Sequence, residues 1–186
     1  MIDGLDGSGK DTQVNLLADM YKNQGKNVVI RSHPTNDNFF GKKSKQALLK
    51  KGKFNHIKAT LFFGLDAIRS VIKYYYFDKS IDILIFSRYT MAVIYLPNSI
   101  NMIVYKIVRF LLPTSDYMFF LDISPEESLK RIKSRSEDEE MFENYDELKK
   151  AREKSKRVPD DWHFISAEGD IYDINNKIKS ICINEL

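Results

Sequence analysis

The sequence predicts an α/β fold in three layers, a mostly parallel central sheet covered by helices on both faces. Short apolar runs alternate with longer amphipathic segments along the 186 residues, the pattern of strand–helix–strand units. The apolar runs are continuous rather than alternating in polarity, as strands buried on both faces are. A glycine-rich loop lies between the first run and the first helical segment, at a strand's carboxyl end, where parallel sheets bind their ligands.

Met1–Asp3 is the end of a first strand and Gly4–Gly9 the loop. A helix follows from Lys10 to about Asn23, with Val14, Leu17, Ala18 and Tyr21 on one face and Gly25 at its C-terminal end. Asn27–Arg31 is β-branched, hence a buried strand, closed by Pro34. Lys42–Lys51 is a basic helix stopped at Gly52, and Asn55–Tyr76 a long helix with Ile57, Leu61, Leu65, Ile68 and Ile72 at helical spacing. Ile81–Phe86 and Tyr117–Leu121 are further strands. Between them, Met91–Leu112 is apolar but interrupted by Pro97, Asn98, Asn101, Lys106 and Arg109. A membrane span needs ~20 mostly apolar residues, so this stretch reads as buried helix. Ser124 opens another helix, with Pro125 in its first turn and Glu127 placed for a capping box. The charged stretch Arg131–Arg157 carries one or two helices, Trp162–Ser166 is the last strand, and Asp170 caps a final helix to about Ile183. Only three residues precede the glycine loop, where a central strand usually has ~5. Either the start lies upstream or the first strand is clipped.

The whole chain, 1–186, reads as one domain. A hydrophobic content of 43%, a charged content of 30% and a net charge of +3 describe a soluble globular protein and argue against a nucleic-acid coat. The basic segment Lys42–Lys53 is read as a solvated face, and neither a nucleic-acid nor a membrane partner is expected. The single cysteine, Cys182, excludes an internal disulfide and a cysteine zinc cluster. It is expected to be packing, in a reduced, cytoplasmic setting. No secretory signal precedes the glycine loop.

The segment Gly4-Leu5-Asp6-Gly7-Ser8-Gly9-Lys10-Asp11-Thr12 fits G-x-x-x-x-G-K between a strand and a helix. Glycines let backbone N–H groups turn inward around a polyanion, the helix start adds partial positive charge, and Lys10 reaches the terminal phosphates. These nine residues are therefore the expected ATP-binding loop. One position departs: Ser or Thr should follow the lysine to bind Mg²⁺, and here it is Asp11. Thr12 points about 100° away on a helix and does not simply take over.

With its following Gln13, this loop is very similar to that of the thymidylate kinases, and further resemblances recur in order. Arg31–Thr35 falls where the family has an Arg-Glu-Pro or Pro-Glu-Arg loop. Leu61–Arg69 resembles its Leu-Leu-Phe helix, Ser87-Arg88-Tyr89 its Asp-Arg-Tyr motif, Leu121–Arg135 the strand and helix entering the lid, and Met141–Arg152 the segment after it. The resemblance implies a P-loop kinase that passes the γ-phosphoryl group of ATP to dTMP with Mg²⁺. It implies that Gly7, Ser8, Gly9 and Lys10 hold the donor phosphates and that Asp6 lies near the acceptor sugar or phosphate. Phe63 would stack on the acceptor base and Arg88 bridge the two phosphates. Arg131 and Arg135 would belong to a lid over residues 131–157. Lys10, Arg88, Arg131 and Arg135 are thus the expected catalytic cations. A homodimer through the apolar faces of Leu61–Ile72 or Ile100–Leu112 is also implied.

The departures are specific. The family has Asp at the position of Ser87 and Ser or Thr at that of Asp11. We expect the two Mg²⁺ ligands to have exchanged places, carboxylate from Asp11 and hydroxyl from Ser87, which preserves their net charge. The family's base-reading groups are replaced by Ala67, Ala92, Tyr95, Leu96 and Pro97, and Glu137–Glu140 form an acidic run in the lid. Two other readings stay open at this level. One is a kinase for another nucleoside monophosphate or a nucleoside; the other is a nucleotide-binding protein without turnover.

Overall fold

The structure is a computed structural model that describes residues 1–50, 52–97, 99–134, 142–158 and 161–184. Five parallel strands form one sheet: β1 (Ile2–Gly4), β2 (Val28–Ser32), β3 (Ile83–Ser87), β4 (Phe119–Asp122) and β5 (His163–Ser166), in the spatial order β2-β3-β1-β4-β5. Helices cover both faces, giving the expected three layers. Every strand pair is parallel, so all carboxyl ends open on one side. β1 is three residues long; it pairs with β3 through Ile2 and Ser87 and with β4 through three registered pairs. Its neighbours Phe119, Phe120 and Leu121 are almost wholly buried, as a central strand demands.

The first helix, α1 (Lys10–Asn23), runs as predicted. Val14, Leu17 and Ala18 are its buried stripe, and Gly25 (φ 78°) ends it. The second, α2 (Phe39–Leu48), starts earlier than the basic run. Asn38 caps it, its side-chain oxygen accepting from the N–H groups of Phe40 and Gly41 at 2.8 and 3.1 Å. Asparagine is a strong cap, and two phenylalanines rather than lysines occupy the first turn. The third, α3 (Lys53–Ser70), widens into a π-helical segment over Val71–Phe77. The change falls just after Ser70, whose hydroxyl is held by Arg31 Nε at 3.2 Å and lies 2.9 Å from His33 Nε2. π-turns of this kind often mark functional segments.

The expected buried helix over Met91–Leu112 is corrected. A 3₁₀ helix (Thr90–Tyr95) and α4 (Asn101–Leu111) divide the stretch on either side of Pro97. Proline lacks the donor a continuous helix requires. Only one side of α4 is inside: Tyr105 is buried, while Ile107 is 51% and Phe110 89% exposed.

Downstream, α5 (Pro125–Lys133) begins at Ser124, whose hydroxyl accepts from Glu127 N–H. The expected box closes differently. Glu168 rather than Glu127 accepts from the Ser124 N–H, at 2.8 Å. The chain then forms α6 (Tyr145–Ser155) and α7 (Ile171–Asn184), the latter capped by Asp170 as expected. Cys182 is buried in the main core. Among the described residues no helix is long and apolar enough to cross a membrane.

Candidate active site

The strand ends and the loop after β1 form the floor of a cleft of about 900 Å³, walled by α2, α3, the 3₁₀ helix and α4. Lys10, buried in the first turn of α1, folds its ammonium into the loop. It donates to the carbonyls of Gly4 and Leu5 at 2.9 and 2.6 Å and lies 3.6 Å from Asp6. Burial, with Arg88 close by, lowers its pKa to about 8. Gly7 adopts φ 76°, and a Cβ there would stand 2.7 Å from the backbone oxygen of Ser128. The loop therefore lies directly on α5, tied by Ser128 Oγ donating to the Asp6 carbonyl at 2.5 Å.

Asp6 gathers the charges beside the loop. It lies 3.6 Å from Arg88 Nε and accepts from the Tyr95 hydroxyl at 3.0 Å. Burial pushes its carboxyl up, but Lys10, Arg88 and the Tyr95 hydroxyl together outweigh that, and the net shift is downward. Asp6 thus stays ionised and orients both cations. Arg88, directly after β3, has the left-handed φ of 49°. That conformation is unusual for a residue with a side chain and is found where function over-determines the backbone. Its Nη1 reaches Asp11 at 3.4 Å and Ser32 Oγ at 3.4 Å. Loop, Arg88 and Asp11 are therefore brought together.

The pair Asp11 and Ser87 fares differently. Asp11 sits half-exposed in the cleft and is 3.3 Å from Ser32 Oγ. Ser87 is the registered neighbour of Ser32 across β2 and β3, wholly buried, its hydroxyl without a hydrogen-bond partner. Among the described residues no cluster of three or more His, Cys, Asp or Glu side chains is arranged for a metal. The oxygen donors Asp11 and Ser87 fit Mg²⁺, which takes one or two carboxylates and draws its other ligands from phosphates and water.

Phe63 lines the cleft from α3 and meets His33 edge-on at 6.0 Å between centroids. His33, itself stacked on Phe86 and Tyr89, is a buried neutral ring; burial lowers its pKa to about 4. Ala67 lines the same wall, so the position of the family's arginine bears no donor. Also lining the cleft, Arg31 makes a paired contact with Asp37 at 3.0 and 3.1 Å, which holds that carboxyl far below its usual range. Buried Asp66 accepts from Thr35 N–H and Oγ1 at 2.6 and 2.8 Å and from Asn38 at 2.6 Å. This network fixes the β2–α2 turn.

One expected cation, Arg131, is engaged away from the cleft. Arg131 donates to Glu127 at 2.9 Å and to the Ala167 carbonyl at 3.1 Å, beside a separate hollow lined by Ser124, Glu168 and Gly169. Arg135 and the acidic run 137–140 lie outside the described residues. Arg152 is held bidentately by Asp122 at 2.7 and 2.8 Å. The sequence reading missed Tyr95 as the hydroxyl partner of Asp6 and Asp3 as an acceptor for Tyr89 and Met91 N–H, both at 3.2 Å. Neither carries a local signal, because their partners lie 86 to 89 residues away.

The family model described as thymidylate kinase matches residues 2–178. A probable thymidylate kinase of Thermococcus onnurineus is 32% identical, the match covering 100% of this chain and 97% of the relative. A thymidylate kinase of Prochlorococcus marinus is 29% identical over 99% and 94% of the two chains. Among solved structures, thymidylate kinase from Candida albicans superposes with a TM-score of 0.73 at 17% identity, covering 99% of this chain and 90% of that one, a likeness of fold. The chain belongs to the thymidylate kinase family.

Proposed function

We propose that this protein transfers the γ-phosphoryl group of ATP to dTMP, giving ADP and dTDP. The observation that carries the reading is the convergence of Lys10, Asp6 and Arg88 at the mouth of a cleft large enough for an acceptor nucleotide. The donor β- and γ-phosphates rest in the loop Gly4–Lys10, held by inward N–H groups and Lys10. An oxygen of the acceptor phosphate forms the new bond to the γ-phosphorus as the bond to the β–γ bridging oxygen breaks. No general base is required, because a phosphate monoester is already largely ionised near neutral pH. The protein's task is positioning and charge stabilisation. Arg88 bridges donor and acceptor, and Asp6 and Asp11 keep its guanidinium turned to the cleft.

Mg²⁺, held by Asp11 and Ser87, would neutralise charge on the β- and γ-oxygens. The ligand exchange makes an unusual prediction. Asp11→Thr and Ser87→Asp should each weaken Mg²⁺-dependent ATP binding and turnover by about tenfold or more, and the double variant should recover much of both. Calorimetric titration of ATP with and without Mg²⁺ reads the metal directly. Additive losses in the double variant sink the exchange.

The reading as a whole is tested by ADP release with a panel of dTMP, dUMP, UMP, CMP, dGMP and AMP. Turnover highest with dTMP is expected; ATP binding with no turnover on any acceptor would leave only a nucleotide-binding protein. We also infer a homodimer. Ile57, Leu61, Ile68 and Ile72 of α3 and its π extension, with Ile103, Ile107 and Phe110 of α4, are all more than two-fifths exposed. Apolar surface of that extent marks an association site, and sedimentation velocity should give about twice the mass of one chain.

A further inference from the structure

The direction of the Arg88 side chain depends on its backbone, which is held in an unfavourable conformation. β1 and β3 pair at one register position, Ile2 with Ser87. One residue later the chain turns, with Arg88 at the left-handed φ of 49°. A residue with a Cβ takes that conformation rarely, and it persists where its surroundings fix it. On the near side the sheet does the fixing, for the Ser87 carbonyl accepts from the His33 N–H at 3.0 Å. On the far side the chain enters the 3₁₀ helix Thr90–Tyr95, and the side chain at its N-cap, Tyr89, caps nothing.

Asp3 fills that role from another strand. It is the middle residue of β1 and is buried. The Tyr89 N–H donates to both of its carboxylate oxygens at 3.2 Å, and the Met91 N–H donates to one of them at 3.2 Å. N–H groups at a helix start need an acceptor from elsewhere, and a carboxylate makes the stronger, charge-assisted bond. These donors lie immediately after Arg88. Asp3 also directly precedes Gly4, where the phosphate loop opens and whose carbonyl accepts from Lys10 Nζ at 2.9 Å. One side chain thus ties the backbone that carries Arg88 to the backbone that carries the loop. The Asp6–Arg88 contact at 3.6 Å is no substitute, because it joins two side chains and leaves the main chain unset.

We propose that Asp3 is a positioning residue for phosphoryl transfer, its carboxylate holding the Arg88 backbone in place against the phosphate loop so that the guanidinium is already aimed at the transferring group. This rests on the phosphoryl-transfer reading above. The role needs no contact between Asp3 and substrate, because Asp3 acts through Arg88. Its loss should slow the chemical step, leave substrate binding nearly unchanged, and matter only while Arg88 is present.

A double-mutant cycle on the full chain tests this. D3N is nearly isosteric but replaces one acceptor oxygen with an NH₂ group, which cannot accept. ADP release is measured with varied ATP and dTMP for wild type, D3N, R88A and D3N/R88A, with a urea titration of each. D3N should lower kcat about 10- to 100-fold, the upper figure being that of a ~1 Å misplacement. Both KM values should stay within about threefold, as for an interaction made only in the transition state. In the R88A background the same change should alter kcat by less than about threefold, since no guanidinium remains to be misplaced. Equal losses with and without Arg88 would overturn the assignment and make Asp3 a structural residue of the loop. A D3N kcat within about twofold of wild type would overturn it as well. D3S, smaller and also uncharged, enters the same cycle if D3N yields no folded protein; failure of both to fold makes Asp3 a core residue and ends the assignment. If the wild type turns over no nucleoside monophosphate, the phosphoryl-transfer reading fails, and this assignment with it. Wild-type turnover with an additive cycle removes the assignment alone.

Discussion

Replacing Arg88 with alanine should lower kcat about a thousandfold while leaving the fold intact. On the proposed reading the side chain touches both sides of the transfer; it is set 3.6 Å from Asp6 beside the loop and 3.4 Å from Asp11 and Ser32. Charge that builds on the transferring group is stabilised there without reorganisation, and arginines in that role are worth about 10³–10⁵ in rate. Arg88→Lys should recover little, because an ammonium on a flexible stem does not reproduce a planar fork spanning two carboxylates. Coupled measurement of ADP release at saturating ATP and dTMP, with a urea titration as the folding control, decides it. A kcat within about fivefold of wild type would place Arg88 outside the transition state. The backbone adds a secondary expectation. Arg88 is held at φ 49°, so Arg88→Gly should remove the same charge yet be slightly more stable than Arg88→Ala.

Gly41→Ala should be the most destabilising single methyl addition in the acceptor wall. The new Cβ would lie 2.0 Å from Thr35 O and 2.7 Å from Thr35 N. Both are backbone atoms, so no side-chain rotation relieves the contact and α2 must move. Thr35 is itself fixed by Asp66 at 2.6 and 2.8 Å, so the strain spreads into a buried polar network rather than a pliable loop. Overpacking of this kind costs about 3 kcal/mol. It also displaces α2, a wall of the cleft, so the KM for dTMP should rise more than that for ATP. Gly64→Ala is the control. A Cβ there meets nothing within 4 Å, and removing a glycine from a helix interior should stabilise by about 0.5–1 kcal/mol. Urea midpoints of the two variants moving the same way would show that the Gly41–Thr35 contact is not limiting.

What the chain declares locally and what it declares only when folded divide along a physical line. The phosphate loop, the span of α1, the Ser124 and Asp170 caps and the existence of all five strands were legible in sequence. Each rests on residues within a few positions of one another: glycines that permit a turn, a hydroxyl or carboxylate over a helix start, apolar residues at a fixed period. The early start of α2 was legible in principle through Asn38, but the lysines that follow it masked the signal. The break at Pro97 was also visible, yet apolar content alone favoured one buried helix, and only packing revealed that half of α4 faces outward.

The working part of the site belongs to the other side of the line. Asp11 and Arg88 stand 77 residues apart, Asp6 and Tyr95 89, and Asp122 and Arg152 30. No local propensity encodes a pairing across such distances, because the parallel order β2-β3-β1-β4-β5 alone brings those strand ends together. The same holds for which cations are engaged. Arg131 and Arg152 carry the charge expected of a lid, but the folded chain ties them to Glu127 and Asp122. Sequence by itself determined the chemistry on offer, a phosphate-binding loop and a supply of arginines. Tertiary structure decided which charges neutralise one another and which face the substrate, because ion pairing depends on separation in space and not on separation along the chain.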